Sequence, residues 1–266
     1  MTAETKFSDQ QLEETYPKGI GNHFWNHARN RIIASTLFAQ GVSPQSRILE
    51  IGCGRGVVVR YLRARGIDCH GVELSKSEVD DDLKGAVRMG WDCFELPVEF
   101  RDSVTGLMLL DVIEHLPDPV NFMSRLQTSF RNARFLLVTV PARKELWSNY
   151  DDYYGHFRRY DTKLLADEFS RSGLEPRKVG YMFRALYPVM FLLARIAGSR
   201  PTRQSTPTQI WAHRLLAQLF VVEYGLVPAG LPGTSVIGLA IVPDRHDERA
   251  AGGDGPAVDA KHTIRQ

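Results

Sequence analysis

Residues 47–51, RILEI, read as a short apolar strand that runs straight into Gly52-Cys53-Gly54-Arg55-Gly56, with a helical stretch over 57–65 behind it. Glycines at alternate positions between a strand and a helix let the backbone turn within a few residues. They also let a ligand approach the main chain where a Cβ would clash. A second strand over 69–74 completes a βαβ unit, the repeat from which parallel sheets covered by helices are built. The alternation continues. A polar helix is expected around 78–87, leading to Trp91-Asp92, with Asp92 placed after the third strand, and the strongly apolar run 104–110 reads as a strand buried on both faces. A helix over 119–130 with Asp118 as its N-cap, a strand over 134–140 and a helix over 162–172 follow, with further strands expected around 177–183 and 235–242.

The expected fold class is therefore α/β: a Rossmann-like, mostly parallel sheet with helices on both faces. A cap helix over 23–38 precedes it, and a helical insertion interrupts it before the last strand. Residues 1–243 are expected to form one domain, with a cap over 1–40, a cofactor-binding core over 41–183, an insertion over 184–232 and a closing strand over 233–243. The charged, Gly/Ala-rich residues 244–266 are expected to be a disordered tail. The net charge of +2, from 33 basic and 31 acidic residues, is too balanced for a chain that coats nucleic acid, so a small molecule is the expected partner. Cys53, Cys69 and Cys93 show no CxxC spacing and the N-terminus carries no apolar signal segment, which points to the cytoplasm.

The glycine turn implies a nucleotide-like cofactor, and its spacing and charge narrow the choice. A pyrophosphate-binding turn needs G-x-G-x-x-G, whereas the third glycine here arrives one residue early. Glu50 would repel a pyrophosphate but attract the ammonium group of an amino-acid moiety. S-adenosylmethionine (SAM) has that moiety and no phosphate. Glu73, 21 residues past Gly52, stands where the ribose hydroxyls of an adenosine ligand are held. Asp92 is a candidate acceptor for the adenine amino group, with Cys93 as backbone donor to the ring, although Asp92 also reads as an ordinary turn residue. An NAD-dependent oxidoreductase would share Glu73 and the βαβ unit, and a non-catalytic, membrane-associated SAM-binding protein would share the glycines. These are the rival readings.

LEIGCGRG at 49–56, GVELS at 71–75 and LLDVIEHLPDP at 109–119 resemble the class I SAM-dependent methyltransferases, in the small-molecule branch that includes the ubiquinone-biosynthesis O-methyltransferases. The resemblance implies a seven-stranded sheet whose last strand is antiparallel, and SAM contacts at Gly54, Glu73 and Asp92. A cofactor shell completed by Gly52, Cys53, Gly56, Leu74, Cys93 and Asp111 is expected around them; Trp25 and Arg29 of the cap helix either close over the site, with Arg29 pairing the SAM carboxylate, or belong to an aromatic-rich helix face packed on the core. Some relatives bind a divalent cation with a D/E-x-x-E-H cluster, here Asp111, Glu114 and His115. The competing reading, in which this stretch only caps a strand and starts a helix, leaves the chain without a metal and is the expectation adopted.

Titratable groups beyond the carboxyl ends of the strands are candidates for catalysis. His115 and His156 are alternative general bases for an acceptor hydroxyl. Tyr154, Arg158, Arg159 and Tyr160 are candidates to orient the acceptor; alternatively, the arginines pair with Asp151, Asp152 and Asp161 in a surface loop. The insertion sets Arg184, Arg195, Arg200, Arg203 and Arg214 against Glu223, among apolar runs too short for a bilayer span of about 20 residues. It reads as helices packed on the core, as an amphipathic lid or as a membrane-surface patch, and its basic, apolar character points to a hydrophobic or lipid-linked acceptor. The oligomeric state is left open.

Overall fold

The structure, a computed structural model, describes residues 8–196 and 199–243. The tail expected over 244–266 lies outside the described residues. Helix α1 (Asp9–Thr15) opens on a capping box formed by Ser8 and Gln11. Helix α2 (Phe24–Ala39) then lies on one face of the sheet and buries Ile32, Ile33 and Leu37. Strands and helices follow as β1 (Arg47–Ile51), α3 (Val57–Arg63), β2 (Asp68–Glu73), β3 (Val87–Met89), α4 (Val98–Ser103) and β4 (Gly106–Leu110). The chain continues through α5 (Pro119–Ser129), β5 (Phe135–Pro141), α6 (Asn149–Tyr154), α7 (Thr162–Arg171), β6 (Glu175–Met182), α8 (Leu186–Ile196), α9 (Ile210–Leu226) and β7 (Ser235–Ile241).

The strands form one seven-stranded sheet in the order β3-β2-β1-β4-β5-β7-β6. Strands β1 to β5 pair in parallel, and β7 runs antiparallel between β5 and β6. The expected sheet, with its last strand reversed, is therefore present. The apolar runs of β4 and β5 fall at its centre and are buried on both faces. At the outer edge, β6 exposes Glu175, Arg177 and Lys178, charges that discourage another strand from pairing there. Strand order reverses between β1 and β4, so a crevice opens beyond the carboxyl ends of these two strands. The glycine turn follows β1 and Asp111 follows β4, which brings both to that crevice.

One expectation is corrected. In place of a polar helix over 78–87 stands a single turn of 3-10 helix, Asp81–Leu83. Arg60 on α3 draws both Asp80 and Asp82 to 2.6 Å, and Gly85 turns left-handed at φ 83°, so this stretch is held by side chains and cannot continue as a helix. The third strand is three residues long and ends at Met89, ahead of Trp91-Asp92. The insertion forms α8 and α9, and α9 packs on α2, where Phe220 stacks 5.6 Å from Phe24. No helix among the described residues is long and apolar enough to cross a membrane.

Candidate active site

Gly52, Gly54 and Gly56 all take positive φ, at 73°, 53° and 71°. Gly56 is the N-cap of α3, and a Cβ there would stand 2.7 Å from Leu83 Cδ1. Gly54 lies under the ring of Tyr16, which would be 2.5 Å from its Cβ. Glu73, at the end of β2, ties the turn down by accepting from Gly54 N at 2.9 Å and from Ser75 N at 3.1 Å. Leu74 follows it, half-buried. Cys53 is buried against Gly71, and burial pushes its thiol well up, so it packs the turn and stays protonated.

Glu50 is 3% exposed, and its Oε2 meets no hydrogen-bond partner among the described residues. Burial pushes its carboxyl up to about 8, against the pull of Arg29 and with the help of Glu73. A buried carboxylate oxygen without a donor fits an incoming ammonium group, which the amino-acid end of SAM carries. Asp92 caps a turn of 3-10 helix by accepting from Phe94 N at 2.9 Å, with Cys93 buried beside it. The cap uses one of the two carboxylate oxygens of Asp92.

A cavity of about 350 Å³ opens in front of the turn, within the range of small-ligand sites, and Tyr16 forms part of its wall. Arg29 and Asp111 line it as an ion pair, Arg29 buried and Asp111 partly exposed to the cavity, with the guanidinium stacked 4.3 Å from the Trp25 ring. Arg29 therefore holds a carboxylate of the protein itself. Asp111 takes φ 59°, a strained conformation for a residue with a side chain. Of the residues expected at the cofactor, only Arg29 and Asp111 reach the cavity; the glycine turn, Glu50 and Glu73 lie behind Tyr16.

Deeper along the wall, Glu114, His115 and His156 each bring a ligand atom within 4.8 Å of one another. The cluster thus contains His156 where the sequence motif suggested Asp111, because Asp111 is engaged by Arg29. Burial and then Asp111 push the Glu114 carboxyl well up, and its Oε2 has no hydrogen-bond partner among the described residues. Burial and then His156 push His115 down to about 4, and its Nδ1 stands 3.0 Å from the Tyr154 carbonyl. The two imidazole rings meet edge-on with centroids 4.6 Å apart.

His156 is held differently. Its Nδ1 is 2.8 Å from Oδ1 of Asp151, a fully buried carboxylate that also accepts from Arg159 at 2.7 and 3.0 Å and from Ser148 N at 2.8 Å. Burial works to raise the Asp151 carboxyl, but the hydrogen bonds from His156 and Arg159 outweigh it and hold it well below the ordinary range. Asp151→Ala would leave Arg159 buried without its counter-charge, so urea denaturation is expected to show a loss of ~3–5 kcal/mol. Tyr154 and Arg159 line the cavity, as does Arg200 from the stretch between α8 and α9. Arg158 and Tyr160, expected at the acceptor, do not. Arg158 reaches the Leu116 and Pro117 carbonyls at 3.1 and 2.9 Å and Glu168 at 3.3 Å, which ties the loop to the segment before α5 and to α7, and Tyr160 is sunk in the core.

Comparison with known proteins identifies the family and the fold. Residues 24–179, more than half of the chain, match the family model described as a methyltransferase domain. A ubiquinone biosynthesis O-methyltransferase from Coxiella burnetii is 25% identical over 122 residues, 43% of this chain and 50% of that protein. Another, from Chromobacterium violaceum, is 25% identical over 80 residues, 27% of this chain and 34% of that protein. The chain thus spans half or less of the length of these curated relatives. Among solved structures, phosphoethanolamine N-methyltransferase 2 of Haemonchus contortus in complex with SAM shares the fold at TM-score 0.55 and 19% identity, covering 90% of this chain and 58% of that one. A geranyl diphosphate methyltransferase does so at TM-score 0.52 and 15% identity, covering 81% and 77%. With its glycine turn, reversed β7 and matched domain, the chain belongs to the methyltransferase domain family and has the fold of the class I SAM-dependent methyltransferases.

Proposed function

We propose that this chain transfers the methyl group of SAM to an oxygen atom of a small-molecule acceptor held in the cavity, with His156 as the general base. The observation that carries the reading is the buried Glu50 carboxylate beside the glycine turn, whose Oε2 has no donor of its own among the described residues. Glu50 would receive the ammonium group, and Glu73 has lone pairs left for the ribose hydroxyls. SAM supplies an electrophilic methyl on a sulfonium; the chain supplies position and a proton acceptor. Asp151 fixes the Nδ1 side of His156, which leaves Nε2 to take the acceptor proton, while Phe24, Leu146, Leu186 and Met190 add apolar groups to the cavity wall. The need for a base favours oxygen, as do the names of the curated relatives. Incubating the protein with methyl-labelled SAM and fractionated cell extract is expected to move label into one acceptor fraction; a screen in which no fraction takes label would overturn the reading.

A second reading is favoured by the Glu114, His115 and His156 cluster, whose nitrogen and oxygen donors suit a divalent cation that would clamp the acceptor oxygens. Chelation separates the two. Under the base reading, turnover after exhaustive EDTA treatment is expected to stay within about twofold, whereas a loss of tenfold or more restored by Mn²⁺ would transfer the role from base to metal.

A further inference from the structure

We propose that α8 and α9 form a docking surface for an anionic lipid bilayer and that the cavity draws its acceptor from that membrane. The surface is argued on its own ground; only the delivery of an acceptor rests on the methyl-transfer reading above.

Helix α8 buries none of its residues, and Val189, Leu192, Leu193 and Ile196 recur at the spacing of one helical face, all exposed. Helix α9 turns Ala217 and Phe220 inward to the core and leaves Trp211, Leu215, Leu219, Val222 and Leu226 outward, with Trp211 at 70% and Leu226 at 79% exposure. An apolar surface of this extent is unfavourable in water and marks a contact site. Charge identifies the occupant. The exposed charged residues of the segment are Arg195, Arg203 and Arg214, while its single carboxylate, Glu223, is turned inward to accept from Arg184 N at 2.7 Å. A second copy of the chain would bring these arginines against themselves, whereas a leaflet with anionic headgroups complements them and accepts the leucines below. Neither helix qualifies as a span, so both would lie in the interface. The same α8 supplies Leu186 and Met190 to the cavity wall, which places membrane contact and acceptor site on one element. The matched methyltransferase domain ends at residue 179, so this surface lies outside it.

The test is vesicle flotation of the full chain with S-adenosylhomocysteine (SAH), using phosphatidylcholine alone and phosphatidylcholine with about a third phosphatidylglycerol. Binding to the anionic vesicles is expected to exceed binding to the neutral ones by at least about tenfold at low salt. Leu215→Ser with Leu219→Ser is expected to lower it by at least about tenfold. Arg195→Gln with Arg214→Gln should lower it by roughly fivefold per arginine and flatten its salt dependence. All variants should keep SAH affinity within about twofold, since none of these side chains lies at the cofactor turn or cavity. Absence of vesicle binding, or equal binding by the double-serine variant, would overturn the proposal. So would a dimer that this variant dissociates in the absence of lipid, which would assign the face to a second copy. Vesicle binding without SAH binding would uphold the docking surface and refute the methyl-transfer reading instead.

Discussion

Replacing His156 with alanine is expected to lower kcat for methyl transfer by roughly 10²–10⁴-fold while leaving SAH affinity within about threefold. The expectation follows from how the two histidines are held. His115 is pushed down to about 4 by burial and by His156, and its Nδ1 is occupied at the Tyr154 carbonyl. His156 instead has Asp151 behind it at 2.8 Å, a carboxylate that stays ionised and can stabilise the imidazolium formed when a proton arrives. His115→Ala should therefore cost less than about tenfold in kcat. Asp151→Asn tests the same arrangement from behind, because an amide can still occupy the site but cannot neutralise an imidazolium. It is expected to lower kcat with little change in KM. The readout is single-turnover transfer from methyl-labelled SAM to the acceptor recovered by labelling. Equal kcat for His156→Ala and wild type would remove the base from the mechanism and leave proximity as its whole basis.

Glu50→Gln is expected to move stability and cofactor affinity in opposite directions. With its carboxyl raised from the ordinary 4.5 to about 8, the folded unliganded chain binds a proton that the unfolded chain releases. Folding therefore carries no penalty from this group below about 4.5, a growing one as pH rises towards 8, and a constant one above. The glutamine variant lacks that penalty, so at pH 8 its unliganded form is expected to be more stable by on the order of 4 kcal/mol, a rise in Tm of roughly 10 °C, with little difference at pH 5. The same change removes the negative charge offered to the ammonium group, and SAH affinity is expected to fall by roughly 10- to 100-fold. Thermal melts across pH and calorimetry with SAH read both effects. A residue that only supports the fold would lower stability and affinity together, and that result would deny Glu50 its role at the cofactor.

The sheet was legible because its signals are local. The short apolar run Leu107 to Leu110, in a βα alternation, reads as a buried strand, and the positive φ of the glycines at 52, 54 and 56 between β1 and α3 is a local demand of the backbone. The stretch 78–87 was misread because its conformation is dictated from outside, by Arg60 reaching across from α3. The cavity shows the same division. Tyr16 lies in a polar N-terminal stretch with no pattern to mark it, yet tertiary packing lays its ring over Gly54. Arg200 sits between two helices of the insertion, and Asp151 read as one of several loop carboxylates until the fold buried it between His156 and Arg159. Arg158 and Tyr160 stand next to Arg159 in sequence, but neighbouring residues of a loop point to different sides, and these two point away from the cavity. Glu50 was readable from charge alone; that its Oε2 would be buried without a donor was not.

The central claim is that the glycine turn with Glu50 is a SAM site and not a dinucleotide site, and calorimetric titration of the purified chain with SAH and, separately, with NAD tests it most directly. Binding of SAH in the micromolar range, on the order of −8 kcal/mol, with NAD at least about a hundredfold weaker is the expected result. Tighter binding of NAD, or no heat from SAH at pH values where the chain is folded, would contradict it.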